Sequence, residues 1–250
     1  MPGKFLKMNL VIDQGNSRCK VAVYQQEEML KCQILTRVDE NSFIALLNEF
    51  PGIDACIFSS VRGENPGYIE LLGKSVNLFL EMNHELRFPL KIAYQTPDTL
   101  GKDRLAGIVG AHTKFPKQNV LLIDAGSAIT FDILTDQGVY LGGNISPGLE
   151  MRYRALHHFT GRLPLVKHEE TDLDLGKSTN QAINIGVLQG MLYEIDGYIT
   201  RWQKIHGNMK IILTGGDANF FEKNLKNGIF VDLNIVTNGL NSILNFNVQE

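Results

Sequence analysis

Residues 9–24 read NLVIDQGNSRCKVAVY, and residues 119–134 repeat the same pattern as NVLLIDAGSAITFDIL. Each stretch begins with an apolar strand, continues through Asp-x-Gly and a small polar residue, and ends with a second apolar strand. Repeated units of this kind are typical of two similar domains that arose by duplication. The two stretches therefore predict a pair of related domains, each with an acidic glycine turn between its first two strands.

The sequence around these two stretches predicts an α/β protein. Short apolar runs that end at Asp, Gly or Ser are typical of buried strands, as at residues 55–58 and 210–213. Between the strands, apolar residues recur at helical spacing over residues 42–49, 103–115 and 180–202. A plausible turn at residues 114–118 predicts one domain over residues 1–115 and a second over residues 116–250.

Composition narrows the class of protein. The 250 residues carry a formal net charge of −3 without a basic block, which argues against nucleic-acid binding. No apolar run approaches the roughly 20 residues of a membrane span, and the N-terminal residues lack a secretory signal. The three cysteines are scattered, without a CxxC pair. We expect reduced thiols, a cytoplasmic protein and no membrane association.

The first Asp-x-Gly turn, DQGNSRCK at residues 13–20, has the residue types of a phosphate-binding loop. Gly15 allows a tight turn, and the backbone N–H groups with the Asn16 and Ser17 side chains can surround an anion. Lys20 adds a positive charge, and Asp13 can hold a Mg²⁺ ion bridged to ATP oxygens. Taken alone, the string is equally compatible with an ordinary hairpin turn.

The second turn, DAGSAIT at residues 124–130, favours the phosphate-binding loop over the ordinary hairpin turn. Two loops of the same design, on matching strands, are expected to hold a nucleotide between them. A third segment, TGGDA at residues 214–218, offers glycines for close approach to adenosine. Neither a Walker A motif nor a GxGxxG fingerprint is present, so the nucleotide hypothesis rests on this set of loops.

A further loop leads into a helix with the sequence YQTPDTLGKDR at residues 94–104. Free N–H groups at a helix start favour an anionic substrate, and the guanidinium of Arg104 can form a bidentate ion pair with a carboxylate. Asp103 can accept the proton of a substrate hydroxyl. The alternative is that Asp103 caps the helix and Arg104 makes a surface ion pair.

Several segments, in order, resemble the type III pantothenate kinase family of the sugar-kinase and actin superfamily. They are DQGNSRCK at 13–20, TPDTLGKDR at 96–104, IDAGSAITFDI at 123–133, YLGGNISPGLEMRYRAL at 140–156, LGKSTNQAINIG at 175–186 and ILTGGDA at 212–218. The resemblance implies two ribonuclease-H-like, actin-like ATPase domains around a cleft. It also implies transfer of the γ-phosphoryl group of ATP to pantothenate, the first step of coenzyme A synthesis, by a homodimer whose substrate site draws on both subunits.

The same resemblance implies a role for each matching residue. ATP would contact Asp13, Gln14, Gly15, Asn16, Ser17, Arg18, Cys19, Lys20 and Ser127. Pantothenate would contact Tyr94, Gly101, Lys102, Asp103, Arg104 and Thr179, with Asp103 as the general base. Asp124 would bind a monovalent cation, K⁺ or NH₄⁺, in addition to the Mg²⁺ that accompanies ATP.

Two departures from the family pattern and two alternatives remain. Ser127 stands where the family usually has Thr, and it keeps the hydroxyl. Lys102 stands where a small residue is common, and it changes the charge beside Asp103. A kinase of the same fold with another acceptor is one alternative. A non-catalytic regulatory protein of the same family, a transcription accessory factor, is the other.

Overall fold

The computed structural model describes residues 8–35, 37–62, 67–225 and 228–248. The chain divides by its contacts into two compact units. The first unit comprises the described residues within Met1–Pro116, Gly138–Tyr140 and Asn234–Glu250. The second comprises those within Lys117–Gln137 and Leu141–Leu233.

Helices and strands alternate along much of the described chain. The strands are β1 (Met8–Gln14), β2 (Cys19–Gln25), β3 (Glu28–Leu35), β4 (Ile53–Ser60), β5 (Leu78–Glu81), β6 (Lys91–Ile92), β7 (Asn119–Ala125), β8 (Ala128–Leu134), β9 (Val139–Pro147), β10 (Met209–Thr214) and β11 (Ile229–Val231). The helices are α1 (Glu40–Glu49), α2 (Tyr68–Ser75), α3 (Lys102–Lys114), α4 (Leu149–His158), α5 (Thr179–His206), α6 (Ala218–Asn224) and α7 (Ile235–Val248), with a 3-10 turn at Pro97–Thr99.

The first unit contains a five-stranded sheet with the order β3-β2-β1-β4-β5. Strand β2 pairs antiparallel with both β1 and β3, whereas β4 runs parallel to β1 and β5 runs parallel to β4. Parallel pairs need crossover connections, and α1 and α2 supply them. The carboxyl ends of β1, β4 and β5 therefore lie at one edge of this sheet.

The two faces of β1 pack against different helices. Leu10 and Ile12 belong to a core cluster that also contains residues of α1 and α2, such as Phe43 and Leu72. The side chain of Asn9 points to the other face, where it donates to Asn241 and Asn245 of α7 at 2.7 Å each. Because successive side chains of a strand alternate, Asp13 shares the face of Asn9.

Helix α7 belongs to the first unit, although it ends the chain. It packs against α3 and against β1, β2 and β4. Glycines permit the close approach of the two helices: a Cβ on Gly239 would lie 1.8 Å from the carbonyl oxygen of Ala106, and one on Gly110 would lie 2.1 Å from that of Ile235. The predicted second domain, residues 116–250, includes α7, whereas the contacts of this helix lie within the first unit.

The second unit repeats the topology of the first. Its strands have the order β9-β8-β7-β10-β11, with β8 antiparallel to β7, β10 parallel to β7 and β11 parallel to β10. Strands β7 to β11 thus correspond to β1 to β5. The first two residues of β9 belong to the first unit, where they pair with β6. The predicted α/β fold with two ribonuclease-H-like units is confirmed.

The core of the second unit is built on α5. Ile183, Val187, Met191, Ile195 and Ile199 are all buried along one face of this helix, as their helical spacing predicts. Ser178 caps the helix by accepting a hydrogen bond from the backbone N–H of Gln181. In the described part of the chain, none of the helices combines the length and the apolar character that a membrane span requires.

Candidate active site

The carboxyl end of β1 brings Asp13 to the edge of the first sheet. In the register of the sheet, Asp13 lies opposite Lys20 of β2 and beside Ser59 of β4. Ligands of α/β proteins commonly bind outside the carboxyl ends of parallel strands. The partly buried carboxylate of Asp13 therefore lies at the expected place for a ligand-binding group.

The turn between β1 and β2 faces solvent. The N–H of Gly15 donates to the carbonyl oxygen of Arg18 at 2.9 Å, which closes the turn. Asn16, Ser17 and Arg18 are all exposed. The Arg62 guanidinium donates a hydrogen bond to the carbonyl oxygen of Asn16, and the side chains of the turn are exposed to solvent.

Two of the predicted ATP contacts have side chains that point into the core. The side-chain oxygen of Gln14, a buried residue, accepts a hydrogen bond from the Tyr68 hydroxyl at 3.0 Å. Cys19 is only 3% exposed, and burial, with a smaller effect from the charge of Asp13, raises the pKa of its thiol to about 12. Only the backbone of these two residues can take part in a phosphate loop.

Asp13 and Asp103 interact electrostatically. The pKa of Asp13 is raised from 3.8 to about 6, first by burial and second by the negative charge of Asp103, while Lys20 partly opposes the change. Asp103 is the second residue of α3, and its Oδ1 accepts a hydrogen bond from the backbone N–H of Arg104 at 2.8 Å. Asp103 thus stabilises the helix start and also lies near the carboxylate of Asp13.

Arg104 is a buried residue, whereas the alternative considered from the sequence placed it in an ion pair at the surface. It is 6% exposed, and its guanidinium carbon lies 5.8 Å from the centre of the Tyr94 ring. Tyr94 in turn stacks on Tyr140, with ring centres 6.2 Å apart and an interplanar angle of 9°. An arginine over an aromatic ring forms a cation–π contact, so Tyr94 and Arg104 are held as one structural group.

Lys102 is directed toward the end of β5. Its Nζ lies 3.9 Å from a carboxylate oxygen of Glu81, and both side chains are partly exposed. A pair of this length and exposure contributes little to stability. The positive charge that departs from the family pattern is therefore balanced by Glu81.

In the second unit, glycines enclose the backbone of the second Asp-x-Gly turn. Gly215 has a positive φ of 97°, and a Cβ there would lie 2.4 Å from the carbonyl oxygen of Ala125 and 2.5 Å from Oδ1 of Asp124. A Cβ on Gly148 would lie 2.3 Å from the carbonyl oxygen of Gly126. Ser127, at the tip of this turn, is exposed.

Gly148 is a site feature that the residue-by-residue prediction missed. The segment YLGGNISPG is part of the resemblance to the family, but the resemblance implies no ligand contact for its last glycine. The structure shows that this glycine leaves room for the main chain of residues 126–127. The signal was available in the sequence as Pro-Gly before a helix, which marks a tight approach of backbone.

The carboxylates of Asp13 and Asp124 can be compared with the ligands that Mg²⁺ and a monovalent cation require. No cluster of three or more His, Cys, Asp or Glu side chains that could hold a metal occurs among residues 8–35, 37–62, 67–225 and 228–248. Mg²⁺ commonly binds through one or two carboxylates together with substrate phosphates, which Asp13 and ATP would satisfy. A monovalent cation at Asp124 would need backbone carbonyl oxygens as further ligands.

Thr179 lies in the second unit as the first residue of α5, and it is exposed. The first helical residues present backbone N–H groups without intrahelical partners. The structure thus places Asp13, Lys20, Tyr94, Asp103 and Arg104 in the first unit. It places Asp124, Ser127 and Thr179 in the second unit.

Two ribonuclease-H-like units, each with an acidic glycine turn after its first strand, define the chain as a protein of the actin-like ATPase and sugar-kinase class. Comparison with known sequences identifies the family within this class. The sequence profile of the type III pantothenate kinase family matches residues 9–201, and the chain belongs to that family.

Individual relatives agree with this assignment. A type III pantothenate kinase of Christiangramia forsetii is 43% identical over 242 residues, which cover 96% of this chain and 99% of the relative. A Campylobacter jejuni structure described as a Baf family transcriptional activator matches with a TM-score of 0.61 at 23% identity, covering 96% of this chain and 100% of the other. Component A of (R)-2-hydroxyglutaryl-CoA dehydratase from Acidaminococcus fermentans gives a TM-score of 0.52 at 12% identity, with coverages of 96% and 97%. These two structural matches show the fold alone.

Proposed function

We propose that this protein transfers the γ-phosphoryl group of ATP to the hydroxyl of pantothenate and forms 4′-phosphopantothenate, the first step of coenzyme A synthesis. The observation that carries the proposal is the partly buried carboxylate of Asp13 at the carboxyl end of β1, in a chain of the type III pantothenate kinase family that also has Asp103 at the start of α3. A carboxylate that binds metal–nucleotide and a carboxylate that accepts a proton are the two acidic groups that such a transfer requires.

On the nucleotide side, the backbone of residues 14–19, the exposed Asn16, Ser17 and Arg18, and Lys20 surround the phosphates. Asp13 would hold the accompanying Mg²⁺, which would neutralise charge on the phosphoryl oxygens. The raised pKa of Asp13 supports this role, since burial and, second, the negative charge of Asp103 disfavour the ionised carboxylate, and a bound cation would offset both effects.

On the acceptor side, Asp103 orients the pantothenate hydroxyl and accepts its proton. Its hydrogen bond from the N–H of Arg104 holds the carboxylate in one orientation. Tyr94, Gly101, Lys102 and Arg104 contact the rest of the acceptor. Arg104 is fixed against Tyr94, and preorganised groups of this kind lower the entropy loss on binding.

In the second unit, Ser127 contacts ATP, and Asp124 binds K⁺ or NH₄⁺ together with backbone carbonyl oxygens. The close approach of Gly148 and Gly215 to residues 124–127 supports both roles, because it fixes the main chain of the turn. A monovalent cation there offsets phosphate charge.

We further propose a homodimer in which Thr179 reaches the substrate site of the partner subunit. The second unit exposes several large apolar side chains, among them Ile145 (63%), Phe159 (82%), Leu175 (74%) and Tyr193 (70%). Exposed apolar side chains in such number favour burial against a partner. Size-exclusion chromatography with light scattering tests the dimer. We also propose a cytoplasmic location for this protein, because it belongs to a family of metabolic kinases.

The decisive assay is ADP release by the purified protein with ATP, Mg²⁺ and pantothenate, in potassium and in sodium buffer, with Asp103→Asn as the inactive control. Activity that requires potassium supports both the kinase and the cation site. Activity in both buffers supports the kinase and rejects the cation. ATP binding without turnover of pantothenate directs the search to other hydroxylated acceptors, and inactivity with every acceptor favours the regulatory alternative.

A further inference from the structure

Ser59 carries a polar group that the described structure leaves without a partner. The residue is completely buried, and its Oγ has no hydrogen-bond partner among the described residues. The neighbouring Ser60 differs, because its Oγ accepts from the N–H of Arg62 at 3.0 Å and lies 3.1 Å from the Arg62 carbonyl oxygen. Buried hydroxyl groups are nearly always hydrogen-bonded, so the Oγ of Ser59 requires an explanation.

The position of Ser59 indicates its partner. Ser59 lies on β4 directly beside Asp13 of β1, in a parallel register. Cys56 and Phe58 of the same strand belong to the core on the α1 and α2 side. By alternation, Ser59 points to the opposite face, which Asp13 shares and which α3 and α7 cover.

On the side away from β1, the neighbour of Ser59 offers no side-chain acceptor. On its far side the chain continues from β5 into Met82, an apolar residue that is completely buried and whose N–H bonds to the carbonyl oxygen of Phe58. Asp13 is therefore the acidic side chain in register with Ser59. A rotation about the Cα–Cβ bond of a serine moves its hydroxyl between staggered positions, so the hydroxyl of Ser59 can turn toward the side chain beside it in the register.

We propose that Ser59 is a positioning residue for the nucleotide site: its hydroxyl donates a hydrogen bond to the Asp13 carboxylate when that carboxylate holds Mg²⁺–ATP. The inference rests on the proposed function. In the free protein the hydroxyl stays unsatisfied, and the bound state gains a hydrogen bond that fixes the orientation of the carboxylate. Hydrogen bonds to charged groups are stronger than neutral ones, which gives Ser59 a measurable share of nucleotide affinity.

The test compares Ser59→Ala, Ser59→Cys and Ser60→Ala with the wild type. Ser59→Ala should leave the Tm of the ligand-free protein unchanged or raise it, because it removes an unsatisfied group. It should also weaken Mg²⁺–ATP binding about tenfold, raise the KM for ATP and leave the KM for pantothenate unchanged. Ser59→Cys, with a weaker donor of similar size, should fall between alanine and serine. Ser60→Ala, which removes existing hydrogen bonds, should lower the Tm by about 2 °C.

Two outcomes overturn the proposal. The first is a lower Tm of ligand-free Ser59→Ala, which assigns the hydroxyl a purely structural role. The second is unchanged Mg²⁺–ATP affinity in a stable Ser59→Ala protein. Absence of Mg²⁺–ATP binding by the wild type is a separate result, since it rejects the proposed function itself and removes this inference with it. A measurement of ATP binding in EDTA tests whether the effect depends on the metal. Without Mg²⁺, Ser59→Ala and the wild type should bind ATP equally well. A tenfold weaker affinity of Ser59→Ala that persists in EDTA contradicts a role at the carboxylate that holds the metal.

Discussion

Asp13→Asn should stabilise the ligand-free protein at neutral pH while it abolishes the proposed metal–nucleotide function. The pKa of Asp13 is about 6 in the folded protein, against an ordinary value of 3.8. Below pH 3.8 the carboxyl is protonated in both the folded and the unfolded states and has no effect. Above pH 6 it is ionised in both, and the folded state bears the full penalty of burial and of the charge of Asp103.

The magnitude follows from the interval between the two pKa values. Each pH unit of that interval corresponds to about 1.4 kcal/mol, so the free energy of unfolding falls by about 3 kcal/mol between pH 3.8 and pH 6. The carboxylate is partly exposed, and solvent screening reduces this figure. We therefore expect Asp13→Asn to gain about 1 to 3 kcal/mol at pH 7.5 and nothing near pH 3.8.

Urea unfolding followed by circular dichroism measures this difference, at pH 4, 5, 6 and 7.5 in buffer with EDTA. Asp98→Asn, which changes an exposed carboxyl of the same unit, is the matched control and should shift stability by less than about 0.5 kcal/mol. A destabilised Asp13→Asn protein, or a gain that is the same at every pH, would refute the reasoning. Addition of Mg²⁺–ATP should then stabilise the wild type and leave Asp13→Asn unaffected.

Three further substitutions test other parts of the structure. Asp103→Asn should lower kcat at least 100-fold with little change in the Kd for ATP, because it removes the proposed base and leaves the nucleotide loop intact; steady-state kinetics with a nucleotide-binding assay decide this. Gly239→Ala should lower the free energy of unfolding by more than about 2 kcal/mol, since its methyl group would overlap the carbonyl oxygen of Ala106; a urea midpoint equal to that of the wild type contradicts the helix contact. Gly148→Ala should weaken ATP binding at least tenfold by displacing the Ser127 backbone, which calorimetry measures, and an unchanged Kd would separate this turn from the nucleotide site.

The sequence was sufficient for the strands of the two Asp-x-Gly repeats and for the long helix α5, because their signals are local. The Asp-x-Gly turns lie where the strands flanking them were predicted, and the apolar stripe of α5 is buried as its spacing indicates. Strand β3 was not predicted, because its side chains alternate between exposed and partly buried positions and include Lys31, Cys32 and Gln33. An edge strand of this kind lacks the apolar run that marks a buried strand.

The parts that escaped prediction depend on contacts between distant residues. Asparagine at positions 9 and 241 gives no sign that the two side chains bond to each other. The pairing of Tyr94 with Tyr140, and the burial of Arg104 beside it, likewise arise only when separate elements meet. Arginine residues are mostly exposed in proteins, and tertiary packing overrides that preference at Arg104.

Helix α7 has a consequence for the order in which the protein can form during synthesis. The second unit is continuous between residues 141 and 233, and its remaining strands lie just upstream, so all its parts exist before the last helix has been translated. The first unit, in contrast, lacks the helix that packs on β1 and β4 until residues 235–248 leave the ribosome. Domains usually complete their folding from the N-terminus onward. In this chain the unit whose sheet is translated first is the one that must wait, with one face of that sheet incompletely covered, for α7 to be translated.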